Sequence, residues 1–272
     1  MIKLSYAVAL PDCKAKKMQC FRGDLDAVCG QLKVLGYDGV ELFARNPREL
    51  DQQTIAATIK RHGLLVPEVS SGPASEDGLS LTDPSPEVRQ AARQRLRDYI
   101  DMAAGWGAQM HLGRIRGSVP DGPAAVEAWK LMREGFLDAA EYGLGKGVRV
   151  LLEPQCRFQG NTLLSVVEGL AFVRELGHPN LGIVADTFHM NIEDVSLPAS
   201  LVAARSYLWH VHFADSNRWY PGGGHINFRE VLEALKLAEY DRFITMEMEQ
   251  HPDSPTAARR AIQTVRALLD TL

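Results

Sequence analysis

The stretch Ile2-Lys-Leu-Ser-Tyr-Ala-Val-Ala-Leu-Pro-Asp12 separates two architectures that share the same elements. Its apolar run reads as a first β-strand, Ile2–Val8, and the chain leaves that strand through Ala9-Leu10-Pro11-Asp12. A dinucleotide-binding sheet would carry its glycine fingerprint at this turn, because the backbone there must approach a pyrophosphate closely. No such glycines are present, so an open doubly wound sheet loses its best support.

Downstream, strand and helix signals alternate. Asp24–Leu35 has helical spacing at Leu25, Val28, Leu32 and Leu35 and stops at Gly36. The predicted strands that follow are Gly39–Phe43, Leu64–Val69, Ala108–Leu112, Val148–Glu153, Leu181–Ala185, Leu208–Phe213 and Phe243–Met248. Between them lie predicted helices at Leu50–Arg61, Pro86–Trp106, Ala124–Leu144, Leu163–Leu176, Leu197–Arg205 and Phe228–Ala238, with Pro255–Leu272 last. Such alternation argues for parallel strands joined by crossover helices. The 272 residues divide into eight units of about 34, the length of one strand-plus-helix unit. The expectation is therefore α/β, a single (β/α)8 TIM barrel occupying 1–272 as one domain, since no linker is long enough to divide it.

Composition narrows the function. The chain carries 30 basic and 34 acidic residues, a formal net charge of −4. That balance lacks the basic field of a nucleic-acid binder. No run approaches the roughly 20 apolar residues of a membrane span. The N-terminus lacks the features of a signal peptide. Four cysteines, Cys13, Cys20, Cys29 and Cys156, show no CxxC spacing, which fits a reduced, cytoplasmic setting. The expected partner is a small molecule, with neither nucleic acid nor membrane.

A barrel of this kind does its chemistry at the C-terminal ends of its strands. Strand five ends in Glu153, strand six runs into Asp186, strand seven carries His210 and His212, and strand eight carries Glu247 and Glu249. Four successive units thus each deliver an ionisable group to one rim. Carboxylates with an imidazole form a mixed oxygen and nitrogen shell, suited to Mn²⁺, Mg²⁺ or Co²⁺ rather than to a closed structural zinc site. Any one of these residues alone is an ordinary loop side chain; the set of four is what favours a site.

Four further stretches carry a resemblance. Ala185-Asp-Thr-Phe-His-Met-Asn-Ile-Glu193, His210-Val-His-Phe-Ala-Asp-Ser-Asn-Arg218, Pro221-Gly-Gly-Gly-His225 and Thr245-Met-Glu247 resemble segments of the D-tagatose/D-psicose 3-epimerases. These belong to the xylose-isomerase-like TIM barrel superfamily of sugar isomerases and epimerases, which also holds hydroxypyruvate isomerases. The resemblance implies one divalent metal, Mn²⁺ first, on Glu153, Asp186, His212 and Glu247. It selects His212 over His210 and Glu247 over Glu249. It also implies that Glu153 and Glu247 act as acid and base on opposite faces of a metal-stabilised cis-enediolate, and that His189 and Arg218 hold substrate oxygens. A homodimer or homotetramer is implied as well. One departure stands out: where the epimerases place a further glutamate six residues after Glu153, this chain has Gln159, in Arg157-Phe158-Gln159. An amide hydrogen-bonds but accepts no proton.

Other residues have bland and functional readings side by side. His111, beside Gly113-Arg114-Ile115-Arg116-Gly117-Ser118, is expected near the substrate, with Arg114 or Arg116 as a candidate for a phosphate or carboxylate; a solvated basic loop, or arginines paired with nearby acids, is the alternative. Trp219 is expected in the rim loop over the substrate, while Trp106, Trp129 and Trp209 pack. Glu68 reads as a surface or supporting residue, Glu41 as a substrate contact without local support, and His210 as a packing or supporting residue below His212. The glycines 222–224 are a weak phosphate signal. The leading expectation is a ketose 3-epimerase. The alternatives are an aldose–ketose or hydroxypyruvate-type isomerase, a lyase of the 3-dehydroshikimate dehydratase kind, a phosphodiesterase resembling endonuclease IV, and a catalytically dead binding module.

Overall fold

The computed structural model describes residues 2–15 and 18–272. Eight parallel strands close on themselves in sequence order: β1 (Lys3–Ala9), β2 (Gly39–Phe43), β3 (Glu68–Ser70), β4 (Gln109–Leu112), β5 (Val150–Leu152), β6 (Leu181–Asp186), β7 (Leu208–Phe213) and β8 (Phe243–Met246). Closure is made by β1 against β8, with Ser5 opposite Thr245. The barrel expected from the alternation is the barrel observed.

Its helices are α1 (Leu25–Leu35), α2 (Gln52–Arg61), α3 (Pro86–Trp106), α4 (Ala124–Lys146), α5 (Val166–Leu176), α6 (Thr187–Glu193), α7 (Leu197–Ala204), α8 (Phe228–Leu237) and α9 (Ser254–Leu269). Their starts follow from side-chain caps. Asp24, Asp51, Ser85, Ser165, Ser196 and Asp253 each accept a hydrogen bond from a backbone N–H in the first turn. At the other end of α1, Gly36 takes φ 95°, a left-handed cap in which a side chain would clash.

Most boundaries move by a few residues, and three differences have a clear local cause. β3 is shorter and later than Leu64–Val69, because Leu65 spends its carbonyl on Val40 in a single bridge before the chain turns inward at Glu68. α5 begins at Val166 rather than Leu163, where Ser165 caps it and Leu163 sits at φ 53°. The segment after β6 coils into the short α6, capped by Asp186 itself.

Between sheet and helices lies a continuous apolar layer that includes Leu32, Leu96, Met132, Phe136, Val173, Leu232 and Val265. The inside of the barrel is different. Ser5, Glu41, Glu68, Ser70, His111, Glu153, Asp186, His210, His212 and Thr245 are all buried. Seven carboxyl or hydroxyl side chains and three imidazoles fill space that branched apolar side chains usually occupy. No helix is long and apolar enough to cross a membrane, among the described residues.

Candidate metal centre

The rim set is assembled as the strand ends suggested. β5 feeds Glu153, β6 ends on Asp186, β7 carries His212 and β8 leads into Glu247. One ligand atom from each of these four buried residues lies within 4.8 Å of the others. His212 Nδ1 is 3.2 Å from Glu153 Oε1 and 3.2 Å from Glu247 Oε2, so the two glutamates flank it. The opposite ring nitrogen, Nε2, is 3.0 Å from Glu41 Oε2. A proton placed on Nε2 and held by Glu41 leaves the Nδ1 lone pair facing the rim, the tautomer a metal ligand requires.

Asp186 divides its oxygens. Oδ1 caps α6 by accepting from Phe188 N at 2.8 Å, and Oδ2 faces Arg218 Nη2 at 3.4 Å. Arg218 Nη2 also donates to Glu247 Oε2 at 3.1 Å, while its guanidinium lies over the Phe188 ring. Arg218 adopts φ 61°, an uncommon conformation for a side-chain-bearing residue, in a turn closed by Asp215. Burial, reinforced by Glu247 and Glu153 and opposed by His189 and Arg218, pushes Asp186 up to about 6. Three carboxylates around a single guanidinium are short of positive charge. A divalent cation fits that deficit, and the three-oxygen, one-nitrogen donor set suits it.

Glu153 is held from several sides. Gln155 Nε2 donates to its Oε2 at 2.7 Å, and Gln155 Oε1 in turn accepts from Arg116 Nη1. Burial opposes its ionisation, but His212, His111 and His189 outweigh it and hold Glu153 below the usual carboxylate range. His189 Nδ1 faces the donor Cys156 N at 3.3 Å and Nε2 faces the donor Arg218 Nη1 at 3.2 Å, so both ring nitrogens are held by N–H groups. Burial drives His189 down to about 4, so it is neutral at pH 7.

Above these residues opens a cavity of about 400 Å³ lined by Ser70, His111, Arg114, Gln159, Arg218 and Glu76, with Glu153 and Glu247 at its floor. Gln159, His111 and Arg114 thus line the cavity at the rim. His189 is reached through Arg218 Nη1, 3.2 Å from its Nε2. Trp219 is stacked on His251, centroids 3.9 Å apart, beside the cavity lining rather than in it.

Several expectations are corrected. Glu68 is not on the surface: it is fully buried and paired with His111 Nδ1. Glu41 is not a substrate contact; it lies below the rim against His210 and His212. Arg116 is neither solvated nor an anion receptor. It is 2% exposed and donates to the carbonyls of Gly113, Glu153 and Thr162 as well as to Gln155. The glycines of 222–224 serve the loop itself. Asp215 accepts from Ser216 N, Gly222 N and Ile226 N, and a Cβ on Gly224 would meet Asp215 Oδ1 at 2.4 Å. His210, as expected, is fully buried beneath His212. Gln155 and Arg116 as supports of Glu153 were not read from the sequence; a polar residue two positions beyond a strand-end glutamate was the only signal.

Fold and donor set together define a TIM barrel with a candidate divalent-metal centre at its C-terminal rim. The chain belongs to the xylose isomerase-like TIM barrel family, whose model matches residues 29–268. It is 30% identical over 228 residues to an L-ribulose 3-epimerase of a Methylomonas species, covering 83% of this chain and 78% of that one. It is 31% identical over 219 residues to a D-psicose 3-epimerase of Ruminiclostridium cellulolyticum, covering 78% and 74%. Among solved structures, a Methylomonas D-allulose 3-epimerase in complex with D-allulose matches with a TM-score of 0.83 at 23% identity, over 98% of this chain and 96% of that one.

Proposed function

We propose that this chain is a divalent-metal-dependent ketose 3-epimerase, with Glu153, Asp186, His212 and Glu247 as metal ligands and Mn²⁺ as the preferred ion. The observation that carries the reading is the pair Glu153 and Glu247, set on either side of His212 Nδ1 at 3.2 Å each and open to a polar cavity. The curated relatives named above are carbohydrate epimerases, which supports the same activity class.

A hydroxy-ketone sugar has an acidified C–H beside its carbonyl. The bound cation supplies stabilisation of the negative charge that develops on the two adjacent oxygens. Glu153 and Glu247 do the proton work. One carboxylate takes the proton, and the C–H pair becomes the enediolate double bond. The other returns a proton to the opposite face, and the carbon inverts. Each of the two epimers presents its C–H to a different glutamate. Arg218 holds Glu247 in place, and Gln155 with Arg116 holds Glu153. His189 and Arg218, held against each other, form the pair proposed to bind substrate oxygens. Gln159 contributes hydrogen bonds where the epimerases carry a carboxylate, which bears on substrate choice. Arg114 is exposed at the cavity mouth and is the group that would meet an anionic substituent.

The test is a panel of ketoses, ketose phosphates and hydroxypyruvate turned over in D₂O by Mn²⁺-loaded protein. Deuterium at C3 with inversion is expected. A moved carbonyl would point to an isomerase, and loss of water to a lyase. Absence of exchange with every ketose, while the metal stays bound, overturns the reading. A homodimer or homotetramer is proposed too, supported by exposed Val126, Leu137 and Leu144 along α4. A cytoplasmic location is supported by four cysteines, all free and buried.

A further inference from the structure

Below the rim, the barrel interior holds a second set of ligating groups, which shares only His212 with the rim set. Glu41 from β2, Glu68 from β3, His111 from β4 and His212 from β7 place one donor atom each within 4.8 Å of the others. All are buried. His111 Nδ1 pairs with Glu68 Oε1 and lies 4.0 Å from Glu41 Oε1. His212 Nε2 is 3.8 Å from Glu68 Oε1, and His210 Nδ1 is 3.9 Å from Glu68 Oε2.

Separations of 3.8–4.0 Å are too long for hydrogen bonds. Two donors on a tetrahedral cation at about 2.0–2.2 Å stand about 3.3–3.6 Å apart, so a movement of a few tenths of an ångström would close these gaps onto an ion.

The hydrogen-bond inventory points the same way. Three buried atoms here have no partner: Glu41 Oε1, Glu68 Oε2 and His210 Nδ1. The carboxylate oxygens carry lone pairs. So does His210 Nδ1, because its Nε2 is the nitrogen engaged, with Thr245 Oγ1 at 2.8 Å and Glu41 Oε2 at 3.1 Å. Buried acceptors without donors are costly. Three of them together, with no unpartnered donor alongside, call for a positive charge. His111 Nδ1 shares a proton with Glu68 Oε1, so a cation entering here displaces that proton and takes both atoms as donors, while Nε2 stays on Ser70 Oγ at 3.1 Å.

We propose that this chain holds a second divalent cation inside the barrel, on Glu41, Glu68 and His111, one layer beneath the rim centre. The donors are two carboxylates with imidazole nitrogen, which selects a first-row ion such as Zn²⁺ or Co²⁺ over Mg²⁺ or Ca²⁺. His212 keeps its Nε2 proton on Glu41 while Nδ1 serves the rim. The unpartnered Nδ1 of His210 lies 3.9 Å from Glu68 Oε2, at the edge of this set.

The experiment strips the full-length protein with chelator, reloads it with Zn²⁺ or Co²⁺, removes excess metal by gel filtration and counts ions per chain by mass spectrometry. Two ions per chain are expected for the wild type, one for Glu68→Gln and one for Asp186→Asn. A crystal of the Co²⁺-loaded wild type supplies an independent readout that no variant can spoil. Its anomalous map is expected to show two peaks, the deeper between Glu41, Glu68 and His111. One ion in the wild type, two ions retained by folded Glu68→Gln, or a single anomalous peak at the rim each overturns the proposal. Turnover is a separate reading. A chain that binds two ions without epimerising any sugar keeps this inference and loses the proposed function; one that epimerises with a single ion does the reverse.

Discussion

The two halves of this barrel carry the same residue types and use them differently. In the second half, β5 to β8, glutamate, aspartate and histidine stand at the strand ends, under a cavity of about 400 Å³. In the first half, β2 to β4, Glu41, Glu68 and His111 lie within the strands; Glu41 and Glu68 fill the closed interior, and only His111 also reaches the cavity. Position along the strand makes the difference. A group at the end meets substrate and water, whereas one a single layer deeper meets only other protein groups. Chemistry is therefore expected to fail sharply when the second half is changed, and organisation of the site to fail more gradually when the first half is changed.

The largest effect tests the first part of that contrast. Glu153→Gln and Glu247→Gln each keep shape and hydrogen bonding but remove a proton acceptor. Each is expected to lower solvent-deuterium exchange at the reacting carbon by about 10²–10⁴-fold. Exchange at the wild-type rate in either purified variant would remove that glutamate from the mechanism.

Arg116 ranks next, and it joins the halves by running from the β4–α4 loop to the carbonyl of Glu153. Burial lowers it to about 10, so it remains charged at pH 7. Arg116→Leu would strand the carbonyls of Glu153 and Thr162 and the amide oxygen of Gln155 without their guanidinium donor, while the Gly113 carbonyl keeps the backbone N–H of residue 116. With roughly 1–3 kcal/mol for an unmet buried acceptor, a loss of about 3 kcal/mol or more in chemical denaturation is expected. A change under about 1 kcal/mol would mean that water replaces the guanidinium.

Glu41→Gln measures how far the first half governs the second. The amide can no longer act as the anionic acceptor for His212 Nε2–H, so the imidazole loses both orientation and basicity. Rim affinity for Mn²⁺ is expected to drop about 10–100-fold, with turnover largely restored at saturating Mn²⁺. An unchanged affinity would mean that Glu41 and the rim are independent.

The same contrast explains what could be read from the chain. Glu153, Asp186, His212 and Glu247 recur at intervals of 33, 26 and 35 residues, which matches the unit length and marks one rim. The barrel itself followed from the alternation of elements and the bare turn after Val8. Glu41 and Glu68 gave no such signal. A carboxylate inside a barrel looks, in sequence, like the polar position of any half-exposed strand, and only closure of the sheet turns it inward. Arg116 looked like a loop cation because its acceptors are backbone carbonyls from three separate segments, which leave no trace in residue type. Trp219 was placed in the correct loop, but its stacking on His251 depends on how that loop returns to β8.

The smallest predicted effect concerns charge pairs rather than ligands. Asp186 and Asp77 both face guanidinium groups, yet their ionisation moves in opposite directions. Asp186 is fully enclosed among like charges, so burial wins and raises it to about 6. Asp77, in the loop after β3, sits nearer solvent; burial again opposes ionisation, but Arg95 and Arg45 outweigh it and lower Asp77 below its ordinary 3.8. A carboxyl that is more acidic in the folded chain stabilises the fold at pH values above its unfolded pKa. That contribution is lost as pH falls through the lowered folded value. Asp77→Asn is thus expected to cost about 1 kcal/mol at pH 7 in urea denaturation. The gap between variant and wild type should narrow steadily below about pH 4, as the unfolded and then the folded carboxyl take up protons. A gap of the same size at pH 7 and pH 3 would show that Asp77 acts through its hydrogen-bonding shape, which asparagine partly keeps, and not through its charge. In that case the two aspartates would differ in packing alone, and the division between a solvent-tuned first-half rim and a burial-tuned second-half rim would have to be redrawn around shape.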